Sequence, residues 1–206
     1  MIRDQPESPP SAIASLPTSE QSFKDSFKEM WANKNFLILA VAYAIIYGVY
    51  CATGATMSNL LNPFGYSPSD ISIAGGSGLL AGVVAALCIG CFLDYTSTYR
   101  KTHISTTVLT LISGVVFTLI LILSDNQSLG QLTFGLILFC MATISFFPTS
   151  LSYGAELTFP LQPALVNATM NFMGQLCAFA LMGISTFITD VDATDEDFDA
   201  LPDSER

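Results

Sequence analysis

The sequence predicts an all-α membrane protein, and three observations support this fold class. Hydrophobic residues make up 51% of the 206 residues, only 12% are charged, and the mean hydropathy is +0.54, which is too apolar for an ordinary soluble domain. All 7 Lys and Arg residues lie outside the long apolar stretches. Each stretch is long enough to cross a hydrocarbon core of roughly 30 Å as one helix. Five spans are predicted, at about 36–54, 71–93, 104–123, 129–151 and 164–188.

The second span, 71–93, contains no charged residue and has a small residue at every fourth position. The row consists of Ala74, Gly78, Gly82, Ala86 and Gly90. Residues four apart share one face of a helix, and in lipid small side chains let two helix backbones approach closely. We therefore expect this face to pack against a second helix.

Both ends of the chain are polar. Residues 1–17 are rich in Pro and Ser, residues 190–206 are acidic, and both compositions predict disordered segments. Between residues 18 and 34 the large apolar side chains share one helical face; they are Phe23, Phe27, Met30 and Trp31. This pattern predicts an amphipathic helix at the membrane surface, and a soluble helix packed on protein is the alternative.

The cations predict the orientation of the spans. Lys24, Lys28 and Lys34 precede the first span, and Arg100 and Lys101 lie between the second and the third. The loops at 55–70 and 124–128 contain no Lys or Arg. Because cytoplasmic loops are enriched in cations, we expect a multi-pass protein with a cytoplasmic N-terminus. The cation pattern does not distinguish a plasma membrane from an organelle membrane.

The sequence contains no candidate catalytic centre. The single histidine, His103, has no metal-ligand partner at a suitable spacing and is interpreted as an interface residue. The cysteines lie in apolar segments without zinc or disulfide spacing, and no Gly-rich phosphate loop opens a helix. We therefore predict no enzyme activity, no metal and no cofactor. The net charge of -10 and the lack of a basic surface argue against a nucleic-acid partner.

Polar side chains inside two spans are the candidate binding residues. Tyr43, Tyr47 and Tyr50 share one face of the first span. In the fifth span Asn167, Asn171 and Gln175 form a neutral stripe at intervals of four. Because unpaired polar groups are costly in lipid, both faces are expected to point into the bundle or a wet cavity. The amide stripe then either joins two helices or lines a substrate path, and simple aromatic packing is the alternative for the tyrosines.

Charged residues at the ends of the spans suggest a gate. Glu156 lies between the fourth and fifth spans, on the same predicted side as Arg100 and Lys101. A salt bridge between them would lock one conformation and release another. A plain surface carboxylate is the alternative for Glu156.

Several of these motifs together resemble one family of transporters. The run 93–101, Leu-Asp-Tyr-Thr-Ser-Thr-Tyr-Arg-Lys, is similar to the loop after the eighth helix of the feline leukaemia virus subgroup C receptor family of the major facilitator superfamily. Residues 156–160, Glu-Leu-Thr-Phe-Pro, resemble the segment between its helices ten and eleven. Residues 171–175 resemble its eleventh helix, and 43–48 its seventh. The resemblance covers about 35–188.

The resemblance implies a partial major facilitator fold in which the five spans correspond to helices 7 to 11. It implies alternating-access transport of a small organic cation or vitamin-like solute such as choline, or of haem. Gln175 would be the substrate-facing amide, with Asn171, Tyr43, Tyr47 and Tyr50 around it. A cytoplasmic cluster of Asp94, Arg100, Lys101 and Glu156 would stabilise the outward-open state.

The expected partners are the lipid bilayer and a small solute, with an N-terminal half or a full-length carrier completing the assembly. A second hypothesis of another class is a truncated, non-transporting membrane protein that associates with a full-length carrier. A membrane-embedded enzyme is a weaker third idea, because the spans contain no acidic residue and the chain has a single histidine.

Overall fold

The computed structural model describes residues 23–61, 65–96, 98–123 and 129–199, and these residues form α-helices joined by short connections. The helices are α1 Phe23–Ala32, α2 Lys34–Leu61, α3 Pro68–Thr96, α4 Tyr99–Leu123, α5 Leu129–Leu157 and α6 Pro163–Asp199. The described part of the chain contains no β-strand. The predicted all-α fold class is therefore confirmed.

Within the described ranges, 5 helices are long and apolar enough to cross a membrane, and these are α2 to α6. Their spanning segments are Lys34–Asn59, Pro68–Thr96, Tyr99–Ile122, Leu129–Leu157 and Pro163–Ile188. These segments are longer than the sequence predicts because polar residues at their ends continue the helices. The number of spans agrees with the prediction.

The structure describes part of the acidic C-terminal segment but not residues 1–17. Helix α6 continues to Asp199, so the acidic segment predicted to be disordered from residue 190 has a helical backbone over its first part. A helix already formed propagates easily, and no proline occurs between Pro163 and Pro202 to stop it. The predicted disordered segment 1–17 and residues 200–206 lie outside the described residues.

The helices pack as two parallel pairs, with α4 on the far side of α5. Helix α3 lies along α5 and α2 lies along α6. Both pairs are parallel, because residues further along one helix contact residues further along the other. In the α3–α5 pair, Gly78 lies near Leu136 and Gly82 lies near Ile144. In the α2–α6 pair, Tyr43 binds Asn171 and Tyr47 binds Gln175. Helix α4 runs antiparallel to α5. The starts of α2, α4 and α6 therefore lie at the same end of the bundle as the last turns of α3 and α5.

The small-residue row of α3 packs against α5, which is the partner that the sequence could not identify. A Cβ at Gly78 would stand 3.1 Å from the Cys140 sulfur, and one at Gly82 would stand 2.9 Å from the Cys140 carbonyl oxygen and collide with Ile144. Ala86 is half-buried. Gly90 lies outside this interface, because a Cβ there would meet no atom within 4 Å.

Local sequence explains how α3 begins. Gly65 adopts a positive φ of 78° in the turn that precedes it. Ser67 then caps the helix reciprocally with Asp70: the Asp70 amide donates to Ser67 Oγ at 3.3 Å and the Ser67 amide donates to Asp70 Oδ2 at 3.3 Å. Pro68 occupies the first helical position, where no amide donor is needed.

The environment of the short helix α1 bears on the two alternatives for the N-terminal amphipathic segment, a helix at the membrane surface or one packed on protein. Met30 is fully buried in a core cluster with Phe36, Leu161 and Val166. The remaining apolar side chains of the predicted face are exposed: Phe23, Phe27 and Trp31. One edge of α1 therefore packs on protein, and an aromatic row stays outside.

Candidate functional site

The tyrosine face of α2 and the amide stripe of α6 meet directly. The Tyr43 hydroxyl donates a hydrogen bond to Asn171 Oδ1 at 2.9 Å. The Gln175 Nε2 donates to the Tyr47 hydroxyl oxygen at 2.6 Å. Two members of each predicted polar face thus pair with one another, and the amide stripe joins two helices.

Glycines permit this close approach. A Cβ added at Gly174 would lie 3.1 Å from the Tyr47 ring and 3.3 Å from the Tyr43 ring. A Cβ at Gly48 would lie 2.9 Å from the Cys177 sulfur on the same pair of helices. Because these positions lack side chains, the rings of α2 reach the amides of α6.

Aromatic rings surround this polar contact. Tyr43 and Tyr47 stack with ring centroids 5.8 Å apart. The Phe147 ring of α5 lies 5.9 Å from Tyr43, 5.3 Å from Tyr47 and 5.5 Å from Tyr50. We call Tyr43, Tyr47, Tyr50 and Phe147 the aromatic cluster. The contribution of Phe147 was not predicted, because a phenylalanine in an apolar run gives no signal of its partners.

The exposure of the site is uneven. Tyr43 is only 1% exposed, and Tyr47 and Tyr50 are half-buried. Asn171 and Gln175 are exposed, so the amide edge of the site faces outwards while its aromatic floor is covered. A solute could therefore reach the amides first and the ring faces behind them.

The third amide of the stripe has a different environment. Asn171 Nδ2 donates to the backbone carbonyl of Asn167 at 2.9 Å. The Asn167 Oδ1 atom is buried without a hydrogen-bond partner. The stripe is therefore satisfied at Asn171 and Gln175, and is incomplete at Asn167.

The site contains no ionised side chain. The spans from Phe36 to Asn59 and from Ala164 to Ile188 carry no Asp, Glu, Lys or Arg. Ring faces and neutral amide dipoles can attract a fixed cation without an acidic residue. The described residues contain no group of three His, Cys, Asp or Glu that could hold a metal ion.

The predicted gating residues lie at one end of the bundle. Asp94 ends α3, Arg100 and Lys101 begin α4, and Glu156 ends α5; all four are exposed. Within the described residues, no ion pair joins Glu156 to either cation. The structure thus brings these residues to the same end but does not form the predicted latch.

His103, interpreted from the sequence as an interface residue, lies near the start of α4 and is covered by protein. The side chain is 9% exposed and lies between α4 and α5, with its ring centroid 5.1 Å from Tyr153 and 5.5 Å from Phe146. Its Nδ1 is 3.3 Å from the Ser150 hydroxyl. Its position at the start of α4 is close to the loop in sequence, but packing against α5 covers it.

A row of hydroxyls on α4 continues this contact and was also missed. Thr106 and Thr149 hydroxyls are 3.0 Å apart, and the Thr110 hydroxyl donates to the Ala142 carbonyl at 3.1 Å. The signal was present in the sequence, since Thr102, Thr106 and Thr110 recur every four residues. These side chains hold α4 on α5.

Comparison with known proteins supports the resemblance seen in the sequence. No protein-family model matches the chain. The chain is 28% identical over 197 residues to the choline/ethanolamine transporter flvcr2a of Danio rerio, covering 92% of this chain and 41% of that protein. It is 25% identical over 202 residues to the choline/ethanolamine transporter FLVCR1 of Felis catus, covering 90% of this chain and 34% of that protein. The human choline/ethanolamine transporter FLVCR2 is 27% identical over 188 residues, or 85% of this chain and 34% of that protein.

The predicted resemblance is therefore confirmed. The chain spans well under half the length of these relatives. None of the three names mentions haem.

Proposed function

From its similarity to choline/ethanolamine transporters over nearly its whole length, we propose that this chain is the substrate-binding part of a membrane carrier for a small organic cation. Choline and ethanolamine are the two solutes that the names of the relatives give. The observation that carries the proposal is the aromatic cluster beside two exposed amides, in a site without acidic groups.

The chemistry of the cluster suits a quaternary ammonium. Such a cation has no N–H donor, so it gains little from a hydrogen-bond acceptor and much from aromatic faces. The ring centroids of Tyr47 and Tyr50 lie 5.3 and 5.5 Å from the ring centroid of Phe147, so three aromatic rings are grouped together. We expect the exposed Gln175 and Asn171 amides to bind the hydroxyl that choline and ethanolamine share.

Binding to the purified full chain tests this proposal. We expect labelled choline to bind, and its neutral isostere 3,3-dimethylbutanol to compete at least about tenfold more weakly, because a desolvated cation–π contact contributes about 2 kcal/mol and a tenfold difference corresponds to about 1.4 kcal/mol. Gln175→Leu and Tyr47→Phe should weaken binding. Tyr95→Phe is the matched control, because Tyr95 is 91% exposed and lies outside the cluster. Equal competition by the neutral isostere would contradict the proposal.

Transport requires a second measurement. Alternating access needs two helix bundles that move about a shared site. Uptake of labelled choline by proteoliposomes containing the chain alone, and containing the chain with a full-length relative, distinguishes a transporting chain from one that only associates with a carrier. Saturable uptake by the chain alone supports transport, whereas binding without uptake supports the associated, non-transporting role.

We extend the proposal to a gate at the cytoplasmic end. Asp94, Arg100, Lys101 and Glu156 lie at one end of the bundle and are unpaired with one another across α4 and α5 in this structure, which suits the released state of a latch. Reversing the charge at the position of Asp94 in a full-length relative should change the rate of choline uptake. An unchanged rate would remove Asp94 from the gate.

A further inference from the structure

Two cysteines near the end of α3 lie on its exposed side. All five cysteines of the chain fall in described helices: Cys140 is buried, Cys51 and Cys177 are partly buried, and Cys88 and Cys91 are exposed. The sulfur atoms of Cys140 and Cys177 lie against glycines of neighbouring helices. Packing between helices therefore accounts for Cys140 and Cys177, but it does not account for the exposed pair.

Both exposed thiols lie close to one end of the span. Cys91 precedes Asp94 by three residues and Cys88 precedes it by six, which is about 5 and 9 Å along a helix axis. A carboxylate at the end of a span is expected at the water interface. Arg100 and Lys101, at the start of α4, belong to the predicted cytoplasmic side. The two thiols are therefore expected just below the cytoplasmic headgroups.

An exposed stripe of α3 leads from these cysteines towards the middle of the bilayer. Residues three, four and seven positions apart share one face of a helix. The exposed residues of α3 with this spacing are Leu80, Val84, Leu87, Cys88, Cys91 and Tyr95. Each Cα–Cβ bond of a helix tilts towards the N-terminus of the helix, which for α3 is the opposite end of the span. A chain attached to either sulfur would therefore extend into the bilayer along the three aliphatic residues of this stripe.

We propose that Cys88 and Cys91 are acceptor sites for reversible S-acylation by a long-chain fatty acid such as palmitate. Cysteines beside the end of a membrane span are typical positions for this modification. The proposal rests on the predicted cytoplasmic position of this end, because the acyl donor is a cytoplasmic thioester. It does not depend on which solute the chain binds.

The net reaction transfers an acyl group between two sulfur atoms. The cysteine thiolate attacks the carbonyl carbon of a long-chain acyl-coenzyme A, and a new C–S bond forms. The C–S bond to coenzyme A breaks, and the leaving thiolate takes up the proton that the cysteine lost. One thioester replaces another, so the step needs neither an oxidant nor a reductant.

Acyl exchange on the full chain, expressed in cultured animal cells, tests the proposal. Free thiols are blocked with N-ethylmaleimide, thioesters are cleaved with hydroxylamine, and the released thiols receive a polyethylene glycol maleimide that adds a visible mass. We expect forms with one and two tags, and only after hydroxylamine. Cys88→Ala and Cys91→Ala should each leave a single tag. Incorporation of an alkyne analogue of palmitate should fall at least about tenfold in the double variant.

Two further variants separate this role from a general effect on the chain. Cys177→Ala is the matched control and should keep both tags, since Cys177 is partly buried on α6. A chain that keeps only Cys88 and Cys91 should also keep both tags. Tags that persist in the double variant, tags that appear after a reductant without hydroxylamine, as a disulfide would give, or the lack of any hydroxylamine-dependent tag would each overturn the proposal.

Discussion

At the scale of single residues, pairing of phenols with amides determines the candidate site. The spacing of Tyr43 and Tyr47 predicts that they share a face, and so does that of Asn171 and Gln175. Sequence spacing cannot identify which helices meet, because the polar face of any one membrane helix could form hydrogen bonds with the polar face of any other. The structure shows that α2 meets α6 in a single register, since both hydrogen bonds join residues 128 apart in the sequence. Phe147 and the burial of His103 depend on tertiary packing alone, so no local pattern predicted them.

A double-mutant cycle on Tyr43→Phe and Asn171→Leu tests the buried member of these pairs. Removing either partner leaves the other unpaired, so the two losses should overlap. We expect a coupling energy of about 0.6 kcal/mol and not more than about 1.7 kcal/mol, the range for hydrogen bonds between membrane helices. Unfolding in mixed micelles measures it. A cycle on Tyr43→Phe with Thr186→Val, on the same pair of helices but without a shared contact, should show no coupling.

At the scale of helices, small residues decide which pairs pack closely. The row from Ala74 to Gly90 predicts a packed face for α3, and the structure shows that only its first part is used against α5. A four-residue repeat defines a face but not the length over which two helices stay in contact. That length depends on how the helices cross, which is a property of the pair.

Gly82→Ala compared with Gly90→Ala tests this difference. The new Cβ at position 82 would lie 2.9 Å from a backbone carbonyl, which cannot rotate away as a side chain could. We expect Gly82→Ala to lower the free energy of unfolding by about 1–3 kcal/mol. Gly90→Ala should change it by less than about 0.5 kcal/mol. Similar losses in both variants, measured by thermal unfolding, would place Gly90 in an interface as well.

The exposed face of α1 gives a second prediction at this scale. Phe27 and Trp31 have ring centroids 5.9 Å apart and exposures of 40% and 39%, and the helix directly precedes the first span. Aromatic rings in such a position favour the membrane interface. Trp31 is the single tryptophan, so its fluorescence reports on α1 alone. We expect lipids brominated near the headgroup to quench it more than lipids brominated near the acyl-chain end. Quenching by neither lipid would place α1 in water.

At the scale of the whole molecule, the charge distribution predicts one orientation. All described Lys and Arg residues lie on α1, at the start of α2 or at the start of α4, and the structure puts these segments at the same end of the bundle. Hydropathy therefore predicted the number of spans, and the orientation that the cations indicate stays a prediction. Neither pattern could reveal the apolar groove of about 420 Å³ that α2, α4 and α5 line together, because the groove arises from the arrangement of three helices.

Cysteine labelling tests the orientation. In a variant without the native cysteines, Thr98→Cys should react with a membrane-impermeant maleimide only after cells are permeabilised. Ser69→Cys, at the opposite end of α3, should react in intact cells. The reverse pattern would place the N-terminus outside the cytoplasm.

Asn33 connects the surface of the molecule to its interior. Its Oδ1 accepts from the Asn35 and Phe36 amides at 3.1 and 3.3 Å, and its Nδ2 donates to the Leu157 carbonyl at 3.0 Å. One side chain therefore links the hinge between α1 and α2 to the last turn of α5, next to Glu156. If α1 changes its depth with the thickness or composition of the leaflet, this link carries the displacement to the end of α5, so the lipid itself becomes a mechanical input to the bundle.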